Sequence, residues 1–126
     1  MHDTQLAQEA GKPIVADEIG LYKTTGGEGA GPATADAIYR RDVYSFWTPL
    51  DVRFLQAMEA WAQKAGASYI SVFWATQFFA YLDWTPELDT APFGQLTAAS
   101  NAAVSAAFRR NELTAFGRTW THRPRG

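Results

Sequence analysis

The sequence predicts an α/β fold in which two parallel strands alternate with helices. Three observations predict it: a short apolar segment at residues 14–16, a second strand-like segment at 68–74, and a well-bounded amphipathic helix between them. A strand, a helix and a strand in that order favour parallel pairing through a right-handed crossover. The 126 residues have the length of one small domain.

The first element is a short helix followed by the first strand. Residues 4–10 favour a helix, and Gly11 is a typical stop signal. Residues 14–16 (Ile-Val-Ala) follow Gly-Lys-Pro, and a short apolar run with such a boundary is typical of a buried strand. The strand runs into two acidic residues, Asp17 and Glu18, and Gly20 comes soon after.

A long connection follows, because residues 21–47 show no periodic pattern apart from a short helix expected at 36–44. Strand-to-helix loops usually have about two to six residues, and much longer ones are usually functional or disordered. The Gly-rich run at 26–32 has Pro where a dinucleotide-binding motif needs its third Gly, and no Lys-Ser/Thr follows for a phosphate loop. No nucleotide site is therefore predicted.

The next helix has the strongest boundary signals. Thr48 is the expected N-cap, Pro49 suits the first helical position, and Asp51 lies in the first turn. Gly66 is the expected end. Between these limits, apolar side chains recur at helical spacing and form one stripe: Phe54, Leu55, Met58, Trp61, Ala62 and Ala65.

Residues 68–74 are rich in β-branched and aromatic side chains, which is typical of a strand. A loop rich in aromatic residues and proline follows. Residues 96–110 are rich in alanine and predict a final helix. The basic tail from Arg118 to the end is expected to be irregular.

Composition excludes several classes of function. A formal net charge of -2 lacks the broad positive field of a nucleic-acid binder. The absence of Cys excludes thiol catalysis and Cys-based zinc sites, and the two His residues are too far apart for a predicted metal cluster or triad. No apolar run approaches the roughly 18 residues of a membrane span. We expect no cofactor, no metal, no nucleic acid and no membrane, and the sequence leaves the cellular location open.

Two segments carry a resemblance to a known family. Residues 11–20 (GKPIVADEIG) resemble the seventh strand of retaining glycoside hydrolases built on a (β/α)8 barrel, the clan that includes many cellulases, mannanases and β-glycosidases. Residues 71–74 (SVFW) resemble the eighth strand of that clan, and residues 111–114 (NELT) are similar to its closing segment. The resemblance covers about residues 5–117. It implies that residues 1–117 form the last two strand-helix units of a partial TIM (β/α)8 barrel, with 118–126 as a tail.

The resemblance also implies roles for individual residues. The Glu of the Glu-x-Gly segment is the nucleophile of that clan, which is Glu18 here, and the Trp that ends the eighth strand forms the floor of the sugar site, which is Trp74 here. A retaining mechanism needs two carboxyl groups about 5 Å apart, and barrel sites form at the carboxyl ends of strands, where Glu18 lies. Asp17 is expected to make a structural hydrogen bond. Further candidates for contacts with a β-linked oligo- or polysaccharide are Tyr22, Phe78, Tyr81 and Trp84.

One half of the catalytic pair is missing from the chain. The clan carries its acid/base glutamate after an Asn on the fourth strand, whereas the Asn-Glu of this chain, at residues 111–112, follows the last predicted helix. A complete barrel takes about 250 residues. We therefore expect the remaining N-terminal barrel units of a parent enzyme as a partner, and an isolated chain without activity. Two alternatives stay open: a non-catalytic module that binds carbohydrate or protein through the aromatic loop, and another barrel enzyme that uses Glu18 as a proton-transfer base.

Overall fold

The computed structural model describes residues 2–24, 35–73 and 75–122. Within them the fold is α/β, and the two strands form a parallel sheet, so the predicted class and the parallel pairing are confirmed. Two short 3₁₀ turns, Ser45–Trp47 and Ala75–Phe78, accompany the regular elements. The helices and strands are, in chain order, α1 (His2–Glu9), β1 (Ile14–Ile19), α2 (Ala35–Asp42), α3 (Thr48–Ala65), β2 (Ala67–Val72), α4 (Pro86–Thr90), α5 (Phe93–Arg109) and α6 (Ala115–Thr121).

The register of the sheet is irregular near the end of β1. Ala16 pairs with Ile70, but the next pair is Ile19 with Val72, so β1 holds one residue more than β2 over this stretch. An extra residue in one strand is a bulge, and a bulge shifts the alternation of side chains by one position. Ala16 and Ile19 consequently both pack on the core, with Ile70 at its centre.

The two faces of the sheet differ in how far other elements of the fold cover them. One face packs on α3, where Ala62 is buried and Phe54, Met58 and Trp61 contribute partly buried side chains. On the strands, Val15 and Tyr69 pair directly with each other and are 56% and 55% exposed. Parallel sheets are normally covered on both faces. The described residues therefore leave apolar side chains of the sheet uncovered.

The start of α3 differs from the sequence prediction. Thr48 is not the N-cap: it is the first residue of α3, and the cap position is Trp47, which makes no side-chain capping bond. The reason is that the 3₁₀ turn at Ser45–Trp47 runs straight into the helix, so Thr48 already has helical backbone angles. Its hydroxyl donates to the Ser45 carbonyl oxygen at 2.7 Å instead. Gly66 ends the helix as predicted, in the left-handed conformation.

A second core joins the long connection to the C-terminal half. Val43, Tyr44 and Leu96 are buried together, with Leu82 and Leu88 packed against them. Tyr44 and Leu82 also form an isolated parallel bridge. This core therefore ties the chain after β1 to the chain after β2.

The C-terminal segment is more regular than predicted. Residues 118–121 belong to α6, although the sequence suggested an irregular tail from Arg118. Thr114 caps this helix by accepting from the Gly117 backbone N–H at 3.1 Å, and its own hydroxyl donates to the Gln77 carbonyl at 2.7 Å. A Cβ on Gly117 would also collide with the Phe78 carbonyl group. The Thr114 cap thus begins this helix, and Gly117 lets it pack closely on the 3₁₀ turn after β2; residues 123–126 lie outside the described residues.

Candidate functional site

The carboxyl ends of the two parallel strands lie side by side. The Phe73 backbone N–H donates to the Ile19 carbonyl oxygen at 3.0 Å, which continues the pairing one residue beyond β2. Gly20 follows directly, and a Cβ built on it would lie 3.7 Å from the Phe73 Cβ. The segment after Glu18 therefore runs close to the end of β2, at the edge where parallel α/β sheets bind their ligands.

Glu18 has an unusual backbone conformation at this edge. Its φ is 56°, in the left-handed region that L residues other than Gly, Asn and Asp rarely adopt. The Asp17 carboxylate accepts a hydrogen bond from the Glu18 backbone N–H at 3.0 Å, which is a structural hydrogen bond of the kind expected for Asp17. The Glu18 side chain is exposed. Such conformations cost about 1–3 kcal/mol and cluster at functional sites.

Aromatic side chains lie at the same edge. Tyr22 meets Phe73 edge to face, with ring centroids 6.4 Å apart and an interplanar angle of 66°. Both residues are exposed. The structure therefore places Tyr22 beside the end of β2, four residues after Glu18, and its predicted sugar contact stays a prediction. Trp74 lies outside the described residues, so its predicted stacking role stays a prediction.

The remaining candidates have different surroundings. Phe78 packs between Phe116 and Trp120, at centroid distances of 5.2 and 5.5 Å, and so contributes to the interior. Tyr81 uses its hydroxyl within the protein, as described below. Trp84 is exposed. The sugar contacts predicted for all three stay predictions, and among them Trp84 has the most open surface.

A buried polar cluster lies beneath the strand ends. It consists of Lys23, Asp42, Asp51 and Tyr81, and is called the Lys23 cluster below. The Lys23 ammonium lies 2.5 Å from Asp51 Oδ1 and 3.9 Å from Asp42 Oδ1, and the three charged side chains are each only 4% exposed. The Lys23 backbone N–H donates to Asp42 at 3.1 Å, and the Tyr81 hydroxyl donates to Asp51 Oδ2 at 2.8 Å. These contacts bind the chain after Glu18 to α2, to α3 and to the loop after β2.

The electrostatics of the cluster follow from its burial. Desolvation raises the pKa of the Asp42 carboxyl, and the positive charge of Lys23 opposes that rise. Burial also raises the pKa of the Tyr81 hydroxyl, and the negative charge of Asp51 raises it further. Asp42 Oδ2 is buried without a hydrogen-bond partner. A neutral Tyr81 remains a donor, so this cluster acts as a structural clamp.

A pocket lies between the strand ends and the cluster. It is narrow, with room for about one water molecule. Gly20, Leu21 and Val72 line it from the strands, and Asp51 and Gln77 supply polar groups. The Asp51 carboxylate already binds Lys23 and Tyr81, and Glu18 is not among the described residues that line this pocket.

Sequence reasoning missed the Lys23 cluster. Each hydrogen bond of the cluster joins residues that are 19 to 30 positions apart in the chain, so no local pattern connects them. The sequence carries one signal of the cluster, Asp51, which lies beside the apolar stripe of α3. An acidic residue in the first turn also stabilises a helix by itself, so Asp51 alone does not indicate a buried cluster. Only the tertiary fold distinguishes these two roles.

The described part of the chain offers no metal centre, because no three His, Asp or Glu side chains there come together around a common point. None of its helices combines the length and apolar character of a membrane span. In comparisons with known proteins, the chain matches no protein-family model, no curated protein and no solved structure.

Proposed function

We propose that this chain carries the nucleophile of a retaining glycoside hydrolase that cleaves β-linked oligo- or polysaccharides, and that Glu18 is this nucleophile. The observation that carries the proposal is the placement of Glu18. It is an exposed carboxylate in a left-handed backbone conformation at the carboxyl end of a parallel strand. Catalytic groups of barrel enzymes lie at such strand ends.

The chemistry assigned to Glu18 is a double displacement. Its carboxylate oxygen attacks the anomeric carbon as the bond to the leaving oxygen breaks, and an acid carboxyl group protonates that oxygen. The covalent glycosyl-enzyme is then hydrolysed by water, which returns the Glu18 carboxylate. The acid carboxyl group is assigned to another part of the parent enzyme, about 5 Å from Glu18 in the assembled site.

Sugar stacking is assigned to aromatic residues around the strand ends. Sugar rings present apolar C–H faces that pack well on aromatic planes. Tyr22 is supported by its exposed position against Phe73 at the same edge as Glu18. Trp74 is assigned the floor of the site on its resemblance to the family alone.

We further propose that β1 and β2 are the last two strands of a (β/α)8 barrel whose remaining units cover the open side of the sheet. The support is the uncovered pair of Val15 and Tyr69 in a parallel sheet of two strands. Such a sheet is not stable with an open face and open edges. The isolated 126-residue chain is expected to self-associate in light scattering. A monodisperse monomer with a cooperative thermal transition would contradict this part.

The catalytic assignment is tested by Glu18→Ala in the natural full-length protein that contains this chain. Loss of the nucleophile is expected to lower kcat by at least about 1000-fold on an activated aryl β-glycoside. Added azide should restore part of the rate by forming a glycosyl azide in place of the covalent enzyme intermediate. Asp17→Asn is the matched control, and is expected to keep most of the activity. A Glu18→Ala variant with near wild-type turnover would refute the assignment.

A non-catalytic carbohydrate-binding module is the second candidate. The exposed Trp84 in the loop after β2 favours it. In that case Glu18→Gln would leave oligosaccharide affinity unchanged, and the full-length protein would show no turnover of β-glycosides at any substrate concentration.

A further inference from the structure

A second surface of the chain combines exposed aromatic rings with an oriented carboxylate. It is built on the parallel bridge between Tyr44 and Leu82. The Ser45 backbone N–H donates to the Leu82 carbonyl at 2.8 Å, and the Leu82 N–H donates to the Val43 carbonyl at 2.8 Å. The bridge holds the end of the connection after β1 against the loop after β2.

The residues immediately after the bridge are joined by their side chains. The Ser45 hydroxyl donates to Asp83 Oδ1 at 2.8 Å. This bond orients the Asp83 carboxylate, and the residue remains exposed. A carboxylate has about four lone-pair sites on two oxygens, so one bond from Ser45 leaves acceptor capacity for a ligand.

The next residue along each segment is an exposed aromatic one. Phe46 is 55% exposed and Trp84 is 48% exposed. The Phe46 ring stacks on the buried Tyr44, with centroids 5.7 Å apart and an interplanar angle of 19°. Trp84 is followed by Thr85, whose side chain caps α4 by accepting from the Leu88 N–H. Both rings therefore stand on backbone held by hydrogen bonds.

We propose that Phe46, Asp83 and Trp84 form a sugar subsite for a β-linked oligosaccharide, called the bridge subsite below. The two rings supply apolar surface for the C–H faces of sugar rings, and Asp83 accepts hydrogen bonds from sugar hydroxyls. An apolar protein partner fits this surface poorly, because burying the Asp83 carboxylate without further donors is costly. A polyol supplies several donors at once.

The bridge subsite is connected to the segment that carries Glu18. The Phe46 ring lies 5.1 Å from the Trp47 ring, and the Lys23 ammonium lies 6.0 Å from the Trp47 ring centroid. Lys23 follows Glu18 by five positions in the chain. The inference takes its ligand class from the proposed function, but it requires no catalytic role for Glu18.

Calorimetric titration of the natural full-length protein that contains this chain, with β-1,4-linked glucose, mannose and xylose hexasaccharides, tests the bridge subsite. At least one of these probes is expected to bind, and Trp84→Ala and Phe46→Ala should each weaken the affinity by at least about fivefold through lost stacking. Asp83→Asn, which preserves the side-chain shape, should also weaken it. Phe108→Ala is the matched control, because Phe108 is 66% exposed but lies on α5. Thermal melting of each variant establishes that the fold is retained.

The outcomes separate the subsite from the catalytic assignment. Unchanged hexasaccharide affinity in Glu18→Gln, together with loss in Trp84→Ala, supports the bridge subsite whether or not Glu18 is the nucleophile. Binding that is equally weakened by Phe108→Ala, or no binding of any of the three probes, overturns it. Capture of a protein without any sugar binding would equally overturn it and favour a protein-docking surface.

Discussion

Glu18 and Asp51 are both carboxylates at the carboxyl-terminal end of the sheet, but their surroundings are opposite. Asp51 is buried and binds both the Lys23 ammonium and the Tyr81 hydroxyl. Glu18 is exposed, and its backbone N–H donates to the Asp17 carboxylate. A carboxylate that is already paired and desolvated is committed to the structure. The comparison teaches that Asp51 is committed to the stability of the fold, whereas the exposed Glu18 is the acid to which we propose to assign reactivity.

Removing Asp51 should have the largest effect. Asp51→Ala leaves the Lys23 ammonium buried without its nearest counter-charge, and breaking such a pair typically costs about 3–5 kcal/mol. We expect a loss of that size in the free energy of unfolding of the natural full-length protein that contains this chain, measured with urea, or failure to fold. The control is Arg110→Ala, which breaks the exposed pair with Glu112 and should change stability little. Equal effects from Asp51→Ala and Arg110→Ala would contradict the conclusion that the buried pair of Asp51 and Lys23 stabilises the fold.

Removing only the Tyr81 hydroxyl should have a smaller effect. Tyr81→Phe keeps the ring but leaves Asp51 Oδ2 without its donor, which typically costs about 1–3 kcal/mol for a buried charged acceptor. We expect a corresponding fall in the urea midpoint. If Tyr81 is instead a sugar contact that is dispensable for folding, the midpoint will stay at the wild-type value.

Relief of backbone strain at Glu18 should have a smaller effect still, and of opposite sign. Glu18→Gly is expected to raise the free energy of unfolding by about 1 kcal/mol, because Gly adopts the left-handed region without a Cβ penalty. Asn111 has a φ of 54° and is the matched control, since Asn tolerates this conformation better than Glu. Asn111→Gly should therefore gain less. Equal gains, measured by thermal melting at one pH, would argue that Glu18 stores no special strain.

The raised pKa of Asp42 predicts that the stability of the fold depends on pH with an unusual sign. Because burial raises the pKa of Asp42 above its usual 3.8, the folded chain holds that proton more tightly than the unfolded chain. The contribution of Asp42 to stability is then full below pH 3.8 and falls as the pH rises through the raised folded value. Asp42→Asn should become more stable relative to wild type as the pH rises. Urea unfolding from acidic to neutral pH measures this.

Glu112 provides a matched control for the sign of this dependence of stability on pH. Arg110 lowers the pKa of the exposed Glu112 carboxyl, so its contribution to stability is lost as the pH falls. Glu112→Gln should therefore change the pH profile in the direction opposite to Asp42→Asn. If both variants shift the profile in the same direction, the burial of Asp42 does not govern its proton.

The sequence predicts the parts of the fold that depend on local patterns. The β-branched run at 68–74, the apolar stripe of α3 and the stop at Gly66 all anticipate observed elements because each is encoded within about one element length. Thr48 is different: its residue type suits an N-cap, but the preceding 3₁₀ turn decides that the helix has already begun. Local propensity cannot show where a neighbouring turn continues into a helix.

The candidate site was predictable only in part. The position of Glu18 at the end of β1 follows from the order of apolar and acidic residues. Its left-handed backbone does not, because Glu is not a residue type that favours this region. The bulge arises from the pairing with β2, and the Lys23 cluster joins residues far apart in the chain. Both are consequences of tertiary contacts.

The most direct test of the central claim is covalent trapping of the nucleophile. The natural full-length protein that contains this chain is incubated with a 2-deoxy-2-fluoro β-glycoside bearing an activated leaving group, which slows hydrolysis of the covalent intermediate. Peptide mapping by mass spectrometry then locates the glycosyl adduct. The account predicts one adduct, on Glu18, and none in Glu18→Gln. An adduct on a different carboxylate, or turnover of the natural substrate class without any role for Glu18, would contradict it.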